Sequence, residues 1–381
     1  MTAESNSAAN PASSPATGVL PSQTLEKMVA LGQIRGRTPI KPDQIQPSSI
    51  DLRLGTEACR VRASFLASGS ATITSKLEQH RLHTLDLTRP AVLEKGCVYI
   101  VPLEEELALP AGISGKANPK SSTGRLDIFT RLITDEGRQF EIVPAGYKGR
   151  LYAEVVPRTF SVVVRAGDRL SQLRLFQGDY QPSDALIRQI DAEEPLVYLP
   201  DESRGDAHIA NGLRLSVDLA GEGPGSVIGY RAKKHAPLID LARIRYYAPD
   251  EFWDPIRANE TRSLILDPED FYILASRERV RIPAQYAAEM VPFDPTIGEF
   301  RIHYAGFFDP GFGYGSGDIN GTRAVLEVRS HEVPFILEDG QIVASLVFEK
   351  LLERPRLLYG EGIGSSYQRQ GLNLSKHFRT S

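Results

Sequence analysis

The chain has 381 residues, 41% of them hydrophobic, with 44 Lys and Arg against 48 Asp and Glu and a formal net charge of -4. That length exceeds one average domain and suits two, and the composition suits a buried core. The slight negative charge excludes a general electrostatic pull toward nucleic acid, and no apolar run approaches the ~20 residues of a membrane span, so neither nucleic acid nor a membrane is expected as a partner.

The two cysteines, Cys59 and Cys97, lie outside any CxxC pair. This argues against a zinc ribbon, a thioredoxin-like site and the zinc deaminases, which need HxE and PCxxC. Two isolated thiols suit a reducing compartment. The opening MTAESNSAANPASSPATG has neither the basic nor the apolar region of a secretory signal. A cytoplasmic location is the expectation.

Residues 1–20 are rich in Ser, Ala, Asn and Pro and read as a disordered tail. The stretch 24–34, TLEKMVALGQI, has helical spacing, with Leu25, Met28, Val29 and Leu31 available for one face. Strands follow: CVYIVPL (97–103), RLYAEVVP (150–157) and TFSVVVRAG (159–167) are β-branched or aromatic runs bounded by Gly and Pro. DAEEP, DESRGD and GEGPG then give residues 186–224 the composition of an acidic, Gly-rich linker. Beyond it FYILASRERVRIP (271–283), RAVLEVRS (323–330) and QIVASLVFEKL (341–351) read as strands again. Such regular spacing predicts a mainly β fold of barrel or jelly-roll type with few short helices.

An internal repeat accompanies this pattern. Pro110, Ala111 and Pro119 match Pro283, Ala284 and Pro292, each 173 positions later, and Glu154 and Val155 match Glu327 and Val328 at the same offset. Phe176 matches Phe348 at 172. The repeat divides the chain into domain one at 21–185 and domain two at 225–381.

Four segments carry candidate chemistry. In PKSSTGR (119–125) main-chain N–H groups beside Gly and Ser can form an anion nest, to which Lys120 and Arg125 add charge; the alternative is a solvated turn. The GxxxxGK spacing of a Walker loop is absent. In HYAGFFDPGFGYG (303–315), Asp309-Pro310-Gly311 is a turn signal, and its carboxylate either orients a ligand or caps the turn. Glu154 and Glu327 each sit inside an apolar strand run; each faces solvent by alternation or is buried with a raised pKa, fit for a general base. The Gly-rich, then aromatic, segment 357–378 either closes over a ligand or frays. The seven histidines show no HxH or HxxxH spacing, and no GxSxG elbow exists.

Taken in order, QPSSIDLRLG (46–55), KSSTGR (120–125), AGFFDPGF (305–312) followed by VLE (325–327), the strand motifs GDRLSQLRLF (167–176) and DGQIVASLVF (339–348), and the tail of Tyr359 with YQRQG (367–371) resemble the dCTP deaminase and dUTPase superfamily. The resemblance covers nearly the whole chain and is nearest to a long, duplicated bacterial form. It implies two tandem dUTPase-like distorted β-barrels. It implies hydrolysis of dCTP to dUTP and ammonia without zinc, in pyrimidine deoxynucleotide metabolism. It also implies dCTP, dUTP and dTTP as ligands, Mg²⁺ carried on the triphosphate, and a homo-oligomer such as a trimer.

Each half lacks what the other keeps. EIVPAGY (141–147) stands where FFDPGF is expected in domain one, with Val143 in place of Asp, and FDPTIG (293–298) stands where KSSTGR is expected in domain two. One complete site per pair of domains follows, within or between chains. The resemblance implies Lys120, Ser121, Ser122 and Arg125 on the triphosphate and helping to fix the attacking water, with Ser121 and Arg125 catalytic and the Ser121 hydroxyl near the reacting base. It implies Glu327 as general base, main-chain groups of Ala305 on the base and Asp309 on the 3′-hydroxyl. Phe308 and Phe312 would be apolar walls, and Tyr359 and Gln370 parts of a lid. Ser366 replaces the usual lid Lys, for which Lys376 is a candidate substitute. Glu154 is expected to be structural. Two other readings stay open: a bifunctional enzyme that goes on to dUMP and pyrophosphate, with Gln172 as a phosphate contact, and a nucleotide sensor without turnover.

Overall fold

The computed structural model describes residues 16–67, 71–135, 137–179, 181–292, 300–302, 306–314, 318–330, 332–360 and 371–380. It is mainly β with few short helices. The helix Ser22–Ala30 buries Leu25 and Met28 on one face, as their spacing predicts, whereas Leu31 lies past its end and is exposed. Five of the six apolar runs become long strands, Tyr99–Ala108, Lys148–Pro157, Phe271–Val280, Thr322–Ser330 and Ile342–Lys350, whereas TFSVVVRAG (159–167) gives only Val162–Val164.

The repeat is written in the sheets. One sheet orders Arg81–Asp86, Glu57–Val61, Tyr99–Ala108, Lys148–Pro157 and Ile128–Thr134; another orders Trp253–Arg257, Val227–Ala232, Phe271–Val280, Thr322–Ser330 and Phe300–Ile302 in the same sequence of neighbours. Their registers agree as well: Glu154 faces Ile100 and Glu327 faces Ile273. A second pair of sheets repeats Ser171–Gln177 beside Ile113–Pro119 beside Ile142–Val143 as Ile342–Lys350 beside Tyr286–Pro292 beside Phe307–Phe308.

Two alignments shift by one residue. Val143 pairs with Gly115 as Phe308 pairs with Ala288, so the counterpart of Asp309 is Pro144 rather than Val143. Leu175 pairs with Gly115 as Phe348 pairs with Ala288, so Phe348 answers to Leu175 rather than Phe176.

Two readings from composition give way. Of the expected tail, residues 1–15 lie outside the described residues, but Gly18–Val19 pairs with Ser171–Gln177, and Val19 and Leu20 are buried. The expected linker 186–224 is folded. It carries most of the helix Asp184–Glu193 and the strand Leu213–Ser216, and it buries Leu215, Val217 and Leu219 completely. DAEEP closes the helix, and DESRGD and GEGPG are surface turns between elements.

The halves also share a core. Phe252, Trp253, Phe271 and Phe378 join the apolar cluster of the first half, where Trp253 meets Phe160 edge-on at 5.5 Å and Phe378 at 6.0 Å. Full burial of such side chains stabilises by roughly 1.5–3 kcal/mol each. The strand Val162–Val164 continues this joint by pairing in parallel with Ile239–Asp240.

Candidate active site

A cavity of about 600 Å³ is lined by both halves of one chain: Lys120, Ser121, Ser122, Arg125 and Gln172 from the first, and Phe308, Asp309, Phe312, Glu327 and Tyr359 from the second. That volume suits a nucleotide-sized ligand. The segments of the two half-sites line this cavity together within one chain.

The strand Ile113–Pro119 ends at Pro119, and Lys120 caps a single helical turn, Ser121–Gly124. Short side chains and a glycine let this turn close tightly: the N–H groups of Thr123 and Gly124 both donate to the Lys120 carbonyl, at 2.8 and 2.9 Å. Ser121 is exposed, Ser122 is buried, and Lys120 forms an ion pair with Asp51. The turn is braced by the C-terminal segment. Ser375 Oγ donates to the Ser122 carbonyl at 2.8 Å and Arg125 donates to the Asn373 carbonyl at 3.0 Å. Lys376 also lines the cavity, and burial, then the nearby Lys120 charge, holds its ammonium below the usual lysine range. His377 is pushed down to about 4 by burial and by Lys376.

Glu327 lies on Thr322–Ser330, a central strand that is buried along nearly its whole length, so alternation does not bring the carboxylate to solvent. Arg125 Nε lies 4.0 Å from its carboxylate. Burial pushes its carboxyl up from 4.5 to about 7; Arg125 opposes the rise and the Asp127 charge adds to it. A group poised there takes and returns a proton at neutral pH.

Asp309 is buried at the start of a turn in which Phe312 N–H returns to the Asp309 carbonyl at 3.1 Å. Gly311 holds φ +92°, outside the range of ordinary residues, and an added Cβ would sit 3.1 Å from Tyr359 N. Tyr359 N–H in turn donates to the Pro310 carbonyl at 2.8 Å, and its ring packs on Phe312, which meets Phe308 edge-on at 4.9 Å. Burial pushes the Asp309 carboxyl up; the Arg174 charge and a hydrogen bond from Ser48 Oγ, 2.6 Å away, pull it down.

The cavity therefore gathers Lys120, Ser121, Ser122, Arg125, Phe308, Asp309, Glu327 and Tyr359. Ala305, Gln370 and Ser366 lie outside the described residues. The segment 371–380 is not a frayed end: Ser375, His377 and Phe378 are buried, Ser375 bonding Ser122 of the first half while His377 meets the Leu241 carbonyl and Phe378 packs on Phe252 and Trp253. Sequence reasoning gave no role to Ser48, Asp51, Arg169 and Arg174. Ser48 and Asp51 lie inside QPSSIDLRLG, whose polar run within an apolar context was the available signal; nothing in the sequence singles out Arg174. Glu154, the counterpart of Glu327, is fully buried and paired with Arg131 at 2.6 Å.

Residues 16–179 match the family model of the 2′-deoxycytidine 5′-triphosphate deaminase (DCD) N-terminal domain, and residues 183–378 match the model of its C-terminal domain. The crystal structure of 2′-deoxycytidine 5′-triphosphate deaminase from Agrobacterium tumefaciens is similar at 50% identity and a TM-score of 0.83, over 89% of this chain and 99% of that one. A Halobacterium salinarum protein named dCTP deaminase, dUMP-forming, is 32% identical over 125 residues, which is 32% of this chain and 60% of the relative. A Pyrobaculum neutrophilum dCTP deaminase is 25% identical over 175 residues, 43% of this chain and 91% of the relative.

Proposed function

The chain belongs to the dCTP deaminase family of the dUTPase-like superfamily, enzymes acting on the cytosine amino group, and on that premise we propose that it hydrolyses dCTP to dUTP and ammonia with Glu327 as general base. The observation that carries this is one cavity in which the Lys120–Arg125 turn and the buried Glu327 meet, with Arg125 Nε 4.0 Å from the carboxylate. In the reaction, water oxygen bonds to C4 while one of its protons passes to Glu327. The C4–N4 bond then breaks, Glu327 returns that proton to the leaving ammonia, and the other water proton ends on N3. Ser121, on the exposed side of the turn, helps fix the water. Arg125 offsets charge as the carboxylate forms.

Lys120, Ser122 and Lys376 hold the phosphates, Phe308 and Phe312 wall the base and sugar, and Asp309 accepts from the 3′-hydroxyl. Ala305 and Gln370 are proposed to complete the base contact and the lid. Each half is proposed to close as a distorted β-barrel, and the chains to assemble as a homo-oligomer. Among the described residues no group of three or more His, Cys, Asp or Glu is arranged to hold a metal. The cavity does offer Asp43 and Asp51 beside its cations, a donor set that suits a hydrated magnesium ion borne by the nucleotide's phosphates. Magnesium would there neutralise triphosphate charge. EDTA is expected to abolish turnover until magnesium is added back, and a zinc-selective chelator to leave it unchanged.

A second reading has a specific support. Several relatives are named dUMP-forming, and Gln172 and Asp309 line the same cavity as Lys120. Incubation with dCTP, dUTP and CTP, with the products identified, decides between the two. Ammonia with dUTP from dCTP alone supports the deaminase. dUMP and pyrophosphate from dCTP support the bifunctional enzyme, and no ammonia from dCTP rules out both.

A further inference from the structure

Arg174 lies on Ser171–Gln177 in the first half and is fully buried, yet most of what it touches belongs to the second half. One amino group donates to the Glu349 carboxylate at 2.6 Å and to the Ala288 carbonyl at 3.2 Å. The other donates to Ser48 Oγ at 3.1 Å and to the Phe308 carbonyl at 3.4 Å. The guanidinium stacks on the Phe307 ring at 4.0 Å and stands 3.8 Å from Asp309 Oδ1. Between them the Ser48 hydroxyl accepts from Arg174 and donates to Asp309 at 2.6 Å. One side chain thus grips three successive residues, 307 to 309.

Burying a guanidinium this deeply costs several kcal/mol in lost hydration, which fold stability alone does not explain, because an apolar residue can fill such a position. The repeat supplies that comparison. Arg174 faces Lys116 as Val347 faces Glu289, so the equivalent strand of the second half carries a valine there. One face of the cation is held by Glu349 and Ala288, and the other points toward Ser48 and the segment that carries Asp309.

We infer that Arg174 is a positioning residue for the sugar end of the site: acting through Ser48, it keeps the Asp309 carboxylate fixed at the cavity wall as an acceptor for a nucleotide 3′-hydroxyl. The inference rests on the placement of the 3′-hydroxyl at Asp309 given above. It makes the first half a determinant of sugar selection as well as of phosphate binding. Because Arg174 lines neither the cavity nor the reacting atoms, its loss acts on which sugar is accepted and not on the chemical step.

The test compares kcat/KM for dCTP with that for 2′,3′-dideoxycytidine triphosphate, which lacks the hydroxyl. The wild type is expected to prefer dCTP by about ten-fold or more, the worth of a hydrogen bond to a charged acceptor. Asp309→Ala sets the value without that acceptor. Ser48→Ala removes the bridge, and Arg174→Met is combined with Glu349→Gln so that the Glu349 charge is not left without its partner. Both are expected to bring the preference down toward the Asp309→Ala value, chiefly through KM for dCTP. A merely structural role lowers activity on both nucleotides alike and leaves the ratio unmoved; if the double variant fails to fold, Ser48→Ala decides. Retention of the wild-type preference in the variants overturns the role of Arg174 and leaves dCTP deamination standing. No preference in the wild type overturns the Asp309 assignment and this inference with it, while ammonia release from dCTP reports separately on the activity.

Discussion

Glu154 and Glu327 hold the same place in the two halves: same residue, same central strand, same isoleucine opposite. What surrounds them differs. Arg131 closes on Glu154 with two hydrogen bonds, at 2.6 and 3.0 Å to one oxygen, and Glu154 does not line the cavity. Glu327 has Arg125 Nε at 4.0 Å and faces a space of nucleotide size. A buried carboxylate becomes a reagent when its counter-charge is held at a distance and a substrate can come between; with the counter-charge in contact it is a strut. Position within the fold does not distinguish these outcomes, and the neighbouring arginine does.

The sharpest break of this comparison is a pair of isosteric changes. Glu327→Gln is expected to cut ammonia release from dCTP by about a thousand-fold, the scale of a lost general base, with dCTP binding retained by calorimetry. Glu154→Gln is expected to leave turnover within about three-fold. Equal losses in the two variants would erase the distinction between reagent and strut.

Protonation sharpens it next. With its carboxyl held up at about 7, Glu327 is ionised, and so able to serve in the proposed role of base, only above that pH. Below it kcat/KM is expected to fall about ten-fold per pH unit, and Glu154→Gln keeps the same profile. The stability sign follows from linkage. A carboxyl whose folded pKa is raised favours the fold below its unfolded value near 4.5 and loses that contribution as pH climbs through about 7. The denaturation midpoint of Glu327→Gln is therefore expected to gain on the wild type across that window, by about 3 kcal/mol at most. A constant difference between the two proteins would remove the buried, strained carboxylate from the account.

Two smaller effects test the strut side. Arg131→Leu leaves Glu154 buried without its partner and is expected to cost about 2 kcal/mol in chemical denaturation, discounted because Arg131 is partly exposed. Gly146 and Gly311 open equivalent turns at φ +72° and +92°. Alanine at either is expected to cost about 1 kcal/mol. Only Gly311→Ala, pressing on Tyr359 N, should also raise KM for dCTP.

Much of this was legible in the sequence. Apolar β-branched runs gave the long strands, because burial on both faces demands them. The offset of 173 foretold the shared strand order, and KSSTGR and FFDPGF do line one cavity. What stayed hidden depends on partners distant in sequence. Ser48 reaches Asp309 across 261 residues, and Lys116 reaches Glu289 across 173. Composition misjudged 186–224 because turns between packed elements share the acidic, Gly-rich character of a spacer. The one-residue slip at Val143 arose because a two-residue strand before a turn carries too little pattern to fix its register.

The segment 371–380 has a further consequence, for the order in which the molecule is made. The brace on the phosphate turn joins Ser375 to Ser122 and Asn373 to Arg125, 253 and 248 positions apart. Contacts of such separation close slowly. A nascent chain that has extruded the whole first half has its strands but not this brace, and gains it only once residue 375 has left the ribosome. Premature termination near residue 370 would therefore give a chain that pairs its sheets yet leaves the Ser121–Gly124 turn without its brace.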